Sequence, residues 1–223
     1  MTSLPPPCLS LKKIEAMEIA AIQKKPAALP SFATAKPKER RISWEEFQRQ
    51  YLTREDEYTY EWLDGVVEKT KRTMDWTQFI ILRNLQAFFR RLIFEGKAHG
   101  ELISEGDTFF LSHHRRPDIA WFSEEQIDKT VQGIKPLPRF VIEVISTHDK
   151  AIKVAKKMQD YRAAGVEVVW KIFPDTEEVE VCSGDQLKEI KVCFGEDLCS
   201  AAPVLPAFVL PANDIFKKPV KAA

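Results

Sequence analysis

Two carboxylates and a row of cations stand where structural need alone would not put them. Asp118 opens the apolar run IAWF, although Asp is among the poorest strand formers. Glu143 interrupts FVIEVIS, Phe140 to Ser146, whose apolar and β-branched residues suit a strand covered on both faces. In the helical stretch that follows, Lys153, Lys157 and Tyr161 recur at a spacing of four, which sets them on one face. A carboxylate inside an apolar strand is costly unless it is paired or bound to a metal. Two carboxylates on neighbouring strands also repel each other, unless a divalent cation or a lysine lies between them.

Metal-dependent phosphodiester cleavage needs such a grouping. Carboxylate oxygens are hard ligands suited to Mg²⁺, which sheds water reluctantly and so keeps potential nucleophiles at hand. The metal polarises a phosphoryl oxygen and acidifies its water, while a nearby lysine orients that water or stabilises developing charge. The same residues admit a plainer reading: Asp118 marks a turn, and Glu143 and Lys157 form a buried ion pair with no chemistry. Spacing alone leaves both open.

The elements that must position these residues follow from local pattern. Residues 1–41 are rich in Pro, Ala and Lys and read as a flexible basic extension, with a short helix around Leu9–Gln23. Order is expected from Ser43, where S-W-E-E forms a capping box with Glu46 and starts a helix ending near Tyr51. Asp64-Gly65 within YEWLDGVVEK signals a two-residue hairpin. Apolar residues recur at helical spacing from Trp76 to Phe94, with Asp75 as cap and Gly96 as stop. Strands are expected at 99–104 and 107–111, paired with each other, and at 118–122, then a short helix over SEEQID. The helix after Glu143 spans about 149–164 and ends at Gly165. VEVVWKIF and EEVEVCS make two more strands. His113-His114-Arg115-Arg116 reads as a solvated loop, with phosphate contact as the alternative. His148 reads as the neighbour of a helix cap, and Tyr161 and Trp170 as core. Hairpins outnumber βαβ units, so the fold class is α/β (α+β), a mixed sheet with helices on each side.

Composition narrows the function. Formal net charge is zero, yet residues 1–41 hold eight Lys/Arg against three Glu, leaving 25 basic and 30 acidic residues in the body. Overall charge therefore gives no support for general nucleic-acid binding. No apolar run approaches the roughly 18 residues of a membrane span, and the opening MTSLPPPCLSLKK has no secretory pattern. Cys8, Cys182, Cys193 and Cys199 show no zinc spacing and read as reduced thiols of a cytoplasmic protein.

Taken together, ISWEEFQRQY, YEWLDGVVEK, RPDIAWF, FVIEVIS, KKMQDYRAAGVEVVWKIFPD, EEVEV and VLPAFVLPANDIF resemble the Uma-type restriction endonucleases of the PD-(D/E)xK nuclease superfamily, from about Ile42 to Phe216. The resemblance implies a restriction-endonuclease-like central mixed sheet flanked by helices, with residues 217–223 as a tail. It implies a Mg²⁺- or Mn²⁺-dependent DNA endonuclease in which Pro117-Asp118 is the PD and Glu143 the (D/E). Ile145 stands where the lysine of the motif would be, and Lys157 matches a lysine displaced into the following helix. Glu61 matches a further acidic position, so Asp118, Glu143 and Glu61 are the implied metal ligands and Lys157 completes the catalytic set. DNA is the implied partner, with no membrane; assembly as a homodimer stays open. The chain departs from the family at Ser146-Thr147-His148, at Pro138-Arg139 and at Trp76-Thr77-Gln78. A catalytically inactive nucleic-acid-binding or protein-interaction module on the same fold is the alternative.

Overall fold

Ser43 accepts the Glu46 N–H at 3.1 Å and so caps α1 (Trp44–Phe47). Only half of the expected box forms, because the Glu46 carboxylate turns instead to Arg40 and Gln50. The computed structural model describes residues 40–71, 76–147 and 149–219. The expectations for the N-terminal extension with its helix, for Asp75 and for His148 lie outside the described residues. A π-helical turn, Gln48–Leu52, continues α1 and seats Phe47 against Tyr60.

β1 (Tyr58–Leu63) and β2 (Val66–Lys71) form the hairpin, with φ of 47° at Asp64 and 89° at Gly65, the two positive values a type I′ turn needs. α2 (Trp76–Phe94) buries Ile81, Leu85, Phe89 and Leu92, one face of its 3.6-residue repeat. β3 (Glu101–Ser104) and β4 (Thr108–Phe110) do not pair with each other as expected. Glu105, at φ 49°, turns the chain out of one sheet and into another. β3 pairs with β6 (Ile119–Phe122), and β4 with β5 (His113–Arg115), the segment expected to be a loop.

α3 (Glu124–Val131) carries a full capping box between Ser123 and Gln126. β7 (Phe140–Val144) is buried throughout, α4 (Ala151–Ala164) follows, and Gly165 at φ 83° ends it before β8 (Val168–Phe173). β9 (Glu178–Ser183), β10 (Glu189–Cys193), β11 (Leu198–Ala201), β12 (Leu205–Pro211) and α5 (Ala212–Phe216) complete the order.

The central sheet runs β10-β9-β8-β7-β6-β3, and a smaller one runs β2-β1-β5-β4. In the central sheet only β7 and β8 are parallel, because α4 crosses over between them. Alternation along the strands sends Ile142, Trp170 and Ile172 to one core with α2 and α5, and Val141, Val169 and Cys182 to another with Met158 and Tyr161 of α4. The architecture is thus a mixed sheet with helices on both faces. No helix among the described residues is long and apolar enough to cross a membrane.

Candidate functional site

The sheet face beneath α4 changes character over one pleat. Its inner row is apolar: Ala120 pairs with Val141, Val141 with Val169, and Val169 with Cys182. Two residues further along β7 the row is charged, with Glu143 beside Lys171 and Lys171 opposite Glu180. Asp118 lies at the head of this row, and its Oδ2 accepts the Val144 N–H at 2.6 Å. The register that pairs Ile119 with Ile142 extends to set Asp118 opposite Glu143, on the same face.

α4 closes over that row. Lys157 Nζ donates to Glu143 Oε2 at 2.8 Å and stands 3.9 Å from Glu61 Oε1. One turn on, the Tyr161 hydroxyl donates to Glu143 Oε1; one turn back, Lys153 Nζ is 3.7 Å from Glu68 Oε2. The whole stripe therefore faces the site. Glu61 arrives from the hairpin, where its Oε2 accepts from Arg115 Nη1 at 3.1 Å and its Oε1 from the Arg116 N–H at 2.9 Å. Asp118, Glu143, Glu61 and Lys157 all line one cleft of about 160 Å³, together with Glu68, Lys153 and Lys171.

Burial and charge act in opposition here. Burial, and then the Glu143 charge, push the half-buried Asp118 carboxyl up to about 7, against the pull of Lys157 and the Val144 N–H. Burial alone would also raise Glu61, but Lys157, Arg115 and the Arg116 N–H outweigh it and hold Glu61 below the usual carboxylate range. For Lys157 burial favours the neutral amine, yet the carboxylates of Glu143, Glu61 and Asp118 prevail and keep it firmly protonated. Burial and the adjacent Glu143 raise Tyr161 well above a free phenol, so it remains a donor.

The HHRR segment is not a solvated loop: His113 to Arg115 form β5, and Arg116 lines the cleft. Arg115 is 2% exposed; its Nε and Nη2 donate to Asp160 Oδ2 of α4 at 2.8 and 2.6 Å while Nη1 holds Glu61. His113 bridges Asp64 and Asp160, His114 Nε2 meets Asp107 at 3.0 Å, and Arg116 Nε binds the Glu105 carbonyl. Distant acids thus turn an apparent loop into β5. Arg115→Met is expected to lower unfolding free energy by about 3–5 kcal/mol in chemical denaturation, since it removes the cation shared by two acids that solvent barely reaches. An unchanged midpoint would mean that Arg115 ties nothing together.

Sequence reasoning passed over three contributors. Tyr161 is core, as expected, and its hydroxyl in addition binds Glu143. Arg115 clamps the hairpin to α4. Lys171 interrupts the apolar VVWKIF of β8 as Glu143 interrupts β7, which was the available signal. Among the described residues no three His, Cys, Asp or Glu side chains are grouped to hold a metal ion. The cleft offers a pair instead, Asp118 and Glu143, and Asp118 Oδ1 has no hydrogen bond among the described residues.

Comparison with known proteins agrees with this architecture. A crystal structure of a "putative nuclease belonging to DUF820" from Anabaena variabilis superposes with a TM-score of 0.63 at 21% identity, covering 78% of this chain and 97% of that one. The two share a fold. No curated protein matches the chain. The family model described as "Uma2: Putative restriction endonuclease" matches residues 44–213, from α1 into α5. Most of the chain, with every element that lines the cleft, lies within that match: the protein belongs to the Uma2 family of restriction-endonuclease-like proteins.

Proposed function

We propose that the protein is a metal-dependent endonuclease that hydrolyses DNA phosphodiester bonds in this cleft, acting in the cytoplasm. One observation carries the reading: a lysine brought by the helix, not the strand, lies 2.8 Å from Glu143 and lines the same cleft as Asp118.

The donors suit Mg²⁺ or Mn²⁺. Mg²⁺ is usually held by one or two carboxylates, with water and phosphate oxygens completing its shell. Asp118 and Glu143 supply that pair, and the burial and like-charge strain that push Asp118 up are what a divalent cation would offset. When bound, the ion supplies a polarised phosphoryl oxygen and an acidified water. Lys157, kept cationic by its three carboxylate neighbours, stabilises negative charge developing on the phosphate. Tyr161 fixes Glu143 from its other oxygen. Glu61, with both oxygens engaged by Arg115 and Arg116, completes the acidic set by holding Lys157 from the hairpin side.

The test is nicking of supercoiled plasmid by purified protein with Mg²⁺ or Mn²⁺, beside EDTA and Asp118→Ala. Nicking is expected only with metal and wild-type Asp118. Equal nicking by the variant would sink the assignment. The non-cleaving module draws on one feature, that both oxygens of Glu143 are already satisfied within the protein. It predicts DNA retention without nicking under every metal condition.

A further inference from the structure

Lys171 belongs to the charged row but has no part in the chemistry above. The other β8 residues on its strand are apolar, and an apolar residue would serve the fold there at no electrostatic cost. The parallel register sets Lys171 beside Glu143, and the antiparallel register sets it opposite Glu180. The two Glu143 oxygens already accept from Lys157 and Tyr161 of α4. Among the described residues Glu180 is the one acid in ion-pair contact with Lys171, on the side away from Asp118, and the ammonium also lies 6.0 Å from the Phe173 ring. Its side chain is 16% exposed and lines the cleft, whereas Glu180 is 28% exposed, so the single restraining acid is the wetter partner. The result is a cation largely withdrawn from water, facing the cleft and held by one exchangeable partner.

We propose that Lys171 is a phosphate-binding residue of the cleft. Its ammonium exchanges Glu180 for a non-bridging oxygen of a nucleic-acid phosphate, one strand spacing (about 4.8 Å) from Glu143. It thereby seats a phosphate of the substrate strand next to the position where Asp118, Glu143 and Lys157 converge. Glu180 keeps the ammonium directed while the cleft is empty. The assignment rests on the cleft receiving nucleic acid, as in the reading above, but Lys171 is given a binding role and no step of cleavage.

The experiment measures binding of a fluorescent DNA duplex to the full chain in EDTA, by anisotropy over a salt series. Lys171→Met, Glu180→Gln and the charge-matched control Lys129→Met, on the remote α3, are compared with wild type. Lys171→Met is expected to weaken binding several-fold and to flatten the slope of log K against log salt by about one, as loss of one phosphate contact requires. Glu180→Gln is expected to strengthen binding, and Lys129→Met to change neither quantity. Wild-type affinity and slope in a folded Lys171→Met would overturn the proposal, as would a wild type that does not bind duplex. Should Lys171→Met melt at the working temperature, Glu180→Gln decides: unchanged affinity overturns the proposal. Plasmid nicking is scored separately. Metal-dependent nicking with an unaltered Lys171→Met slope removes this role and leaves the nuclease. A flattened slope without nicking leaves Lys171 as a binding residue and removes the nuclease.

Discussion

Lys157→Met is expected to abolish metal-dependent nicking and to cost about 3 kcal/mol of stability. The stability loss arises because Glu143, whose side chain is 6% exposed, is left as a buried charge that keeps the Tyr161 hydrogen bond but loses its ion pair. Glu143→Gln combined with Lys157→Met removes both charges and is expected to return the denaturation midpoint close to wild type. Activity should not return with it. That divergence separates a catalytic lysine from a purely structural ion pair, for which the double variant would be silent in every assay. Nicking that survives Lys157→Met would show that the helix-borne lysine is not part of the chemistry.

The second large effect is expected at Asp118, in the dependence of stability on pH and metal. With its carboxyl pushed up to about 7, the folded protein retains a proton there that the unfolded chain releases near pH 4. The folded state binds the extra proton between those values, so stability falls as pH rises from about 4 to 7, and the full cost stands above 7. Asp118→Asn removes that cost, on the order of a few kcal/mol, and keeps an oxygen for the Val144 N–H. It should melt above wild type at pH 8 and no higher than wild type at pH 4. Millimolar Mg²⁺ at pH 8 should raise the melting temperature of wild type, by mass action on the folded state, and leave Asp118→Asn where it was. A wild-type melting temperature indifferent to both pH and Mg²⁺ would count against the metal assignment.

The parts of the site that were legible in sequence are those whose signal is local. Glu143 stands out because its neighbours in FVIEVIS are apolar, and the Lys153–Lys157–Tyr161 stripe follows from helical periodicity. The Asp64-Gly65 turn is legible because backbone sterics restrict which residues fit it. β5 was not legible, because two histidines and two arginines in a row look like a solvated segment. What buries Arg115 comes from 54 residues upstream in Glu61 and 45 downstream in Asp160. Pairing of β3 with β4 was a reasonable inference from proximity in sequence, and it failed at the positive φ of Glu105, which Glu rarely adopts. Lys171 carried the same signal as Glu143, a charge within an apolar strand, but no partner could be assigned before the register with β7 and β9 was known.

Because Lys157 comes from α4 while Glu143 comes from β7, the site is assembled from two pieces with different local stability. β7 is hydrogen-bonded on both sides within the sheet, and all five of its residues are buried. α4 has Lys150 as its N-cap with no side-chain hydrogen bond there, has no acid in its first turn, and buries only Met158 and Tyr161. Cations near a helix N-terminus oppose the macrodipole, so Lys153 further weakens that end. The amides of the first turn of α4 are therefore expected to exchange with solvent faster than those of β7 beneath it, which hydrogen exchange would measure. Such fraying would reach Lys153 before Lys157, so the outer cation facing Glu68 would be lost from the cleft ahead of the inner one on Glu143.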